Sequence, residues 1–166
     1  MWAACPPEFG ARAVIDRFAM LAPKVLLAVV GYRYGDRPID RRAEVAALRE
    51  ALPTLEHVVH VPYPGGVDDA LPATVKWDEL QSQAGTLEFA QLPFDHPLYI
   101  LFSSGTTGLP KAIVHGHGGI LVEHFKNHAL SWDVRAGDRL LWFTTTAWMM
   151  WNALASSPTC RTSPRR

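Results

Sequence analysis

Apolar and polar positions alternate first with a helical period and then with an extended one. Between residues 11 and 22, apolar side chains recur at i, i+3, i+4 and i+7, which predicts an amphipathic helix that Pro23 ends. KVLLAVV, at 24–30, is a continuous apolar run of the length of a buried strand. GYRYGDRPI, at 31–39, places aromatic and basic residues around a glycine and predicts a solvated hairpin.

A second helical pattern follows, with Asp40 as the predicted N-cap and Pro53 as the stop. Its core-facing residues are predicted to be Val45, Leu48 and Leu52. HVVHV, at 57–61, predicts another buried strand. A strand, a helix and a strand with short connections imply a right-handed parallel unit. The fold class is therefore predicted to be α/β, a layered mixed sheet with flanking helices.

Prolines and glycines interrupt residues 63–97, which we interpret as an irregular connector. Within it only VKWDELQSQ, at 75–83, indicates a short helix. The apolar run LYILF, at 98–102, then predicts one more strand.

The composition limits the classes of function. At 166 residues the chain is long enough for one domain or part of one. Lys plus Arg and Asp plus Glu both number 16, so the chain lacks the net positive charge that is typical of nucleic-acid-binding proteins. No apolar stretch reaches the roughly 20 residues that span a bilayer. Neither a nucleic acid nor a membrane is therefore expected as a partner, and protein partners stay open.

The cysteines and the first residues favour a cytoplasmic location. Cys5 and Cys160 lie near opposite ends of the chain without metal-type spacing, which argues against a disulfide framework or a zinc site. MWAACPPEFG lacks the pattern of a signal peptide. A reducing, cytoplasmic setting is the expectation.

The segment from Ser103 to Lys111 has the composition of an anion-binding loop. Glycine lets backbone N–H groups converge on a ligand, hydroxyls add donors, and a lysine adds a mobile charge. The residues that would contact a polyphosphate are Ser103, Ser104, Gly105, Thr106, Thr107, Gly108 and Lys111. The glycine spacing does not match the P-loop G-x-x-x-x-G-K-[ST]. The apolar residues on both sides predict a loop at the tip of two strands, and composition alone also allows an ordinary polar turn.

The ordered string SSGTTGLPK after an apolar strand resembles the phosphate-binding signature of the adenylate-forming superfamily. HPLYILFSSGTTGLPKAIVHGHGGILVEHF, together with DRRAEVAAL and LPTLEHVV, resembles the acetoacetyl-CoA synthetase (acetoacetate–CoA ligase) family. The resemblance covers residues 1 to about 155 and implies an incomplete part of the large N-terminal domain of such a ligase. Residues 156–166 depart from the family pattern and are expected to be an aberrant tail, disordered or frameshifted.

The resemblance implies an AMP-forming acid–thiol ligase. Acetoacetate would attack the α-phosphate of ATP, and coenzyme A would then displace AMP from the acyl-adenylate. The family implies Mg²⁺ on the phosphates, but no ligand for the ion can be named in this sequence. Members are several times longer, so the chain alone is expected not to complete the reaction. A non-catalytic polyphosphate-binding module and an interaction protein remain alternatives.

Two further regions carry candidate residues. His117 lies where relatives often carry a histidine after the loop and is predicted to orient it. His124 and His128 could form a zinc site or, as we favour, be solvated or pack within a helix. LLWFTTTAWMMWN, at 140–152, predicts core packing for most of its aromatic residues. By resemblance, Trp148 would line the acyl pocket, although Ala147 stands where the family usually has glycine.

Overall fold

The structure of the protein is a computed structural model that describes residues 1–64, 71–83, 85–86, 88–103, 108–135, 137–145, 148 and 151–152. The chain divides into two compact units, Pro7–Phe89, and Met1–Pro6 with Ala90–Arg166. The strands are β1 (Trp2–Ala3), β2 (Val25–Ala28), β3 (Gly31–Tyr34), β4 (Arg37–Asp40), β5 (His57–His60), β6 (Val75–Lys76), β7 (Pro97–Ser103) and β8 (Lys111–Gly116). The α-helices are α1 (Ala11–Phe18), α2 (Arg42–Ala51), α3 (Trp77–Ser82) and α4 (His117–Phe125).

The Pro7–Phe89 unit contains the predicted parallel strands. β2 pairs in parallel with β5 in the register Leu26↔Val58, and β5 pairs in parallel with β6. The β3–β4 pair is the predicted antiparallel hairpin. The helix α1 runs on into a 3₁₀ turn at Ala19–Leu21, which ends two residues before Pro23. These assignments confirm the α/β prediction.

The core of this unit is built from the apolar faces of α1, α2 and the parallel strands. The predicted residues Val45, Leu48 and Leu52 of α2 are all buried, with Leu52 only 1% exposed. The other buried apolar residues are Val14, Phe18, Leu26, Val30, Val58 and Val59. α1 packs against α2, and the helical spacing of the apolar residues accounts for this contact.

The predicted N-cap of α2 is wrong by one residue. Arg41 occupies the N-cap position, and Asp40 is instead the last residue of β4. The Asp40 carboxylate still accepts the backbone N–H of Arg42 at 2.9 Å and binds the Arg42 guanidinium. These hydrogen bonds from Arg42 hold the pKa of the exposed Asp40 below its usual value. Asp40 thus satisfies one free N–H of the first turn from outside the cap position.

The other unit is organised around the strand β7. Its sheet has the order β1-β7-β8, with β1 parallel and β8 antiparallel to β7. Tyr99 and Ile100 of β7 form its buried centre together with Ile120 of α4. α4 begins directly after β8 and continues as a π-helical turn at Lys126–Ser131. The predicted strand–loop–strand arrangement around the glycine-rich loop is confirmed.

Core packing of the aromatic segment at 140–152 is not what the structure shows. Phe143 is 98% exposed, and Trp142 and Trp148 are about half exposed. No described element covers Phe143, so the side chain has no apolar layer to enter. Met149, Met150 and Ala147 lie outside the described residues, as do Cys160 and the tail 156–166.

Candidate functional site: the β7–β8 hairpin

The ends of β7 and β8 bring Ser103 and Lys111 together. The antiparallel register pairs Ser103, the last residue of β7, with Lys111, the first residue of β8. Side chains of directly opposite residues lie on the same face with Cβ atoms about 4.5–5.5 Å apart. Both residues are exposed. The hairpin therefore presents a hydroxyl and an ammonium group side by side at the base of residues 104–110.

Gly108 has the backbone conformation for which glycine is suited. Its φ is +87°, in the left-handed region that residues with a Cβ rarely adopt. A Cβ at this position would meet nothing within 4 Å, so the constraint on Gly108 is its backbone angle and not its neighbours. Ser104, Gly105, Thr106 and Thr107 lie outside the described residues. Of the seven predicted phosphate contacts, the structure thus places Ser103, Gly108 and Lys111.

His117 lies at the other end of the hairpin from the loop. It is the first residue of α4, directly after β8. Because a strand rises about 3.3 Å per residue, the six steps from Lys111 put His117 roughly 20 Å from the loop end of β8. The imidazole is next to His96, with 5.8 Å between the ring centroids. An effect of His117 on the loop would therefore have to be transmitted along β8. The role of His117 in orienting the loop stays a prediction.

The segment before β7 satisfies the first N–H groups of α4. The His117 N–H donates to the His96 carbonyl at 3.0 Å, and the Gly118 N–H donates to the Phe94 carbonyl at 2.8 Å. The Phe94 ring lies directly over Gly118, where a Cβ would overlap it. The sequence analysis missed this contact. The pair Gly118-Gly119 at a helix start was the available signal, because glycine there indicates a close neighbour.

Tyr99 and His115 form a cross-strand pair in the middle of the hairpin. They are directly opposite in the register, with ring centroids 5.4 Å apart. Burial raises the pKa of the Tyr99 hydroxyl above its usual value. This pair stiffens the hairpin that carries Ser103 and Lys111, because aromatic cross-strand pairs stabilise antiparallel strands by about 0.2–1 kcal/mol.

His124 and His128 are packed within the helical segment. They are 3% and 1% exposed, and their rings stack with centroids 6.1 Å apart. The His128 ring also contacts Trp132, which in turn stacks on Trp142. Of the two alternatives that we favoured, solvation and helix packing, only helix packing therefore describes these two imidazoles. Among the described residues, no group of three or more His, Cys, Asp or Glu side chains could hold a metal ion.

Trp148 is not part of the buried core. Half of the Trp148 surface is exposed, and the backbone N–H of Trp148 donates to the Thr145 carbonyl at 3.1 Å. Nothing in these contacts tests its predicted place in an acyl pocket. In the described part of the chain, no helix has both the length and the apolar character needed to cross a bilayer.

The chain is similar to a set of proteins of one kind. It is 47% identical over 164 residues to an acetoacetyl-coenzyme A synthetase of Rhizobium meliloti, covering 94% of this chain and 24% of that protein. It is 40% identical to the acetoacetyl-CoA synthetase of Mus musculus, covering 95% and 25%. The solved acetoacetyl-CoA synthetase from Streptomyces lividans matches with a TM-score of 0.88 and 52% identity, covering 95% of this chain and 24% of that one.

Two facts follow from these similarities. The chain spans about a quarter of the length of the relatives that it matches. The model of the AMP-binding enzyme family matches residues 2–157, which include the β7–β8 hairpin and the string SSGTTGLPK. The chain therefore belongs to the family of AMP-binding enzymes.

Proposed function

We propose that this chain carries the pyrophosphate-binding loop of an AMP-forming acid–thiol ligase that joins acetoacetate to coenzyme A at the expense of ATP. The observation that carries the proposal is the hairpin base, where Ser103 lies opposite Lys111 and Gly108 is left-handed. The names of the relatives, acetoacetyl-CoA synthetases, support acetoacetate as the acid. Residues 1–155 would be part of the large N-terminal domain, and 156–166 an aberrant tail.

The chemistry requires stabilisation of a leaving group. When acetoacetate attacks the α-phosphate, the bond from the α-phosphorus to the bridging oxygen breaks and negative charge collects on the departing pyrophosphate. Donors already aimed at that charge lower the barrier, because they need no rearrangement during the reaction. Ser103 and Lys111 would contribute a hydroxyl and an ammonium, and residues 104–107 would add backbone N–H groups and hydroxyls. His117 would act on this loop indirectly, through β8.

Mg²⁺, which the family implies, finds no set of protein ligands among the described residues. The described residues offer no cluster of three or more candidate ligands, so no step of the proposed mechanism uses the ion. The contribution proposed for this chain is therefore binding and charge stabilisation by its own side chains. ATP, acetoacetate and coenzyme A are the proposed small-molecule partners, in the cytoplasmic setting that the two cysteines favour.

A second candidate function is a polyphosphate-binding module that performs no chemistry. The observation that favours it is that the three described site residues, Ser103, Gly108 and Lys111, all have proposed roles in binding a phosphate and none in the attack by the acid. Both candidates predict binding of ATP or pyrophosphate at the hairpin. They differ in whether the chain supports exchange of pyrophosphate into ATP when it replaces the matching segment of a full-length relative.

The substitution Lys111→Ala tests the site. Removing the ammonium should weaken binding of pyrophosphate and of ATP at least tenfold, since a hydrogen bond to a charged group contributes about 1.5–3 kcal/mol. Isothermal titration of the purified full chain at low salt measures the change. Lys126→Ala is the matched control, because Lys126 is an exposed lysine that pairs with Glu123 on α4. Equal affinity of Lys111→Ala and the unmodified chain would contradict the role given to the hairpin.

A further inference from the structure

The strands β7 and β8 do not pair in one continuous register. Pro97 lies opposite Gly116, and the next pair is Tyr99 with His115. β7 thus advances by two residues where β8 advances by one, which leaves Leu98 as an extra residue. An extra residue on one of two antiparallel strands is a β-bulge, a feature that is frequent next to active sites. This bulge decides which residues face each other from there to the loop.

The end of the hairpin before the bulge is fixed by backbone contacts. Directly after β8, the His117 N–H donates to the His96 carbonyl at 3.0 Å. A Cβ on Gly116 would lie 3.1 Å from the Asp95 carbonyl oxygen, so the segment before β7 passes very close to the end of β8. Because these contacts hold the two chains at this end, the register of the remaining hairpin depends on the bulge and on the pairs that follow it.

The first pair after the bulge is Tyr99 with His115, whose ring centroids are 5.4 Å apart. Among the described pairs of β7 with β8, this is the only one formed by two aromatic rings. Tyr99 is 6% exposed, and Trp2 of β1 pairs with it from the other side of β7. Aromatic cross-strand pairs are favourable, so the contact between the two rings favours the register that contains the bulge.

The spacing of residues along the two strands connects this pair to the predicted phosphate site. Tyr99 is four residues before Ser103, and Lys111 is four residues before His115. When Tyr99 lies opposite His115, regular pairing toward the loop therefore places Ser103 opposite Lys111. An even spacing along a strand also puts the four side chains on one face of the hairpin.

The register without a bulge would separate the hydroxyl from the ammonium group. Leu98 would then lie opposite His115, and Phe102 would lie opposite Lys111. A slip of one residue moves side chains to the other face of a sheet, so the Ser103 hydroxyl would point away from the Lys111 ammonium. The phosphate site therefore requires the register that contains the bulge.

We propose that Tyr99 and His115 are positioning residues of the pyrophosphate site. Their pairing holds the register in which Ser103 lies opposite Lys111, and Leu98 takes up the extra residue of β7. The inference rests on the proposed function, because it takes Ser103 and Lys111 as phosphate contacts. The register itself requires no ligand, so it can be measured separately from binding.

Exchanging two neighbouring residues of β7 tests the proposal. In Leu98→Tyr combined with Tyr99→Leu, the tyrosine ring lies five residues before Ser103. Its pairing with His115 should then turn Ser103 away from Lys111. The affinity of the full chain for pyrophosphate, measured by isothermal titration at low salt, should fall about tenfold, since a hydrogen bond to a charged group is lost.

Deletion of Leu98 is the complementary change. It keeps the four-residue spacing from Tyr99 to Ser103, so pairing without a bulge should still place Ser103 opposite Lys111. The affinity for pyrophosphate should therefore stay within about twofold of that of the unmodified chain. The conservative variant Tyr99→Phe retains the ring and should retain the register.

Disulfide formation measures the register directly, in chains that carry Cys5→Ser and Cys160→Ser. Ser103→Cys with Lys111→Cys should cross-link in the unmodified chain, because the Cα atoms of opposite residues lie about 4.5–5.5 Å apart, within reach of a disulfide. The same pair should cross-link in the deletion variant. In the exchanged variant, Phe102→Cys with Lys111→Cys should cross-link instead.

Circular dichroism checks that each chain folds. An exchanged variant that still cross-links positions 103 and 111, or a deletion variant that does not, overturns the proposal. If only one of the two variants folds, its cross-link decides, and if neither folds the proposal is overturned, because the bulge then serves the fold and not the site. If the cross-links follow the position of the ring but no chain binds pyrophosphate, the proposed function alone is rejected.

Discussion

At the scale of single residues, Gly118 shows how one missing side chain fixes the start of α4. The Phe94 ring occupies the space that a Cβ of Gly118 would need, whereas a Cβ at Gly119 would meet nothing within 4 Å. Gly118→Ala should therefore lower the free energy of unfolding by about 1–3 kcal/mol, as overpacking does. Gly119→Ala should raise it by about 0.5–1 kcal/mol, because alanine favours the helix.

Urea unfolding followed by circular dichroism measures both changes. Phe94→Ala combined with Gly118→Ala should recover part of the loss, because the exposed ring that causes the overlap is removed. If Gly118→Ala and Gly119→Ala have the same effect, the Phe94 contact is not what restricts the position.

The sequence predicts the residue types at the hairpin better than their geometry. The string from Ser103 to Lys111 identifies hydroxyls, glycines and a lysine, and the φ of Gly108 agrees with the use of glycine there. The pairing of Ser103 with Lys111 depends on the strand register, which the loop sequence does not specify. The position of His117 at the other end of β8 depends on the length of that strand in the same way.

At the scale of elements, Arg41 connects three segments of the Pro7–Phe89 unit. Its guanidinium donates to the Glu44 carboxylate at 2.7 Å, to the Tyr32 hydroxyl at 3.2 Å and to the Glu8 carbonyl at 3.1 Å. The hydrogen bonds to Tyr32 and Glu44 hold the pKa of Arg41 above its usual value. With a side chain only 17% exposed, Arg41 joins β3, α2 and the segment before α1.

Arg41→Ala should lower the free energy of unfolding by about 2 kcal/mol, because the change removes several hydrogen bonds of a partly buried guanidinium, one of them to a carboxylate. Arg42→Ala is the matched control, since Arg42 lies next to it and its ion pair with Asp40 is exposed. That change should cost no more than about 1 kcal/mol. Urea midpoints of the two variants and of the unmodified chain measure the difference. Similar midpoints would mean that the contacts of Arg41 contribute no more than a surface ion pair.

Elements with a strong hydrophobic period are predictable, and very short ones are not. The pattern of Val45, Leu48 and Leu52 predicts α2, and the apolar run at 57–61 predicts β5. β1 and β6 have two residues each, which is too short for any period to be visible. Their pairing with β7 and β5 is decided by tertiary contacts.

At the scale of the whole molecule, the exposed apolar residues show why the predicted burial of the segment at 140–152 was wrong. The aromatic segment at 140–152 has the composition of a core, and on that basis it was predicted to be buried. Phe143 and Leu141 are instead more than 90% exposed. A side chain becomes buried only where other elements of the fold pack over it. Composition shows that an apolar side chain favours burial, but not whether such an element is present.

Pyrophosphate exchange is the reaction that separates the two candidate functions. The full chain alone should give no acetoacetate-dependent exchange of labelled pyrophosphate into ATP, because binding the leaving group does not by itself position the acid for attack. When residues 1–155 replace the matching segment of the Streptomyces lividans protein, exchange should appear, and Lys111→Ala in this graft should reduce its rate at least tenfold. Lys126→Ala should leave the rate unchanged. Exchange by the chain alone would show that it completes the adenylation step unaided, whereas a graft that binds ATP without exchange would favour the binding module.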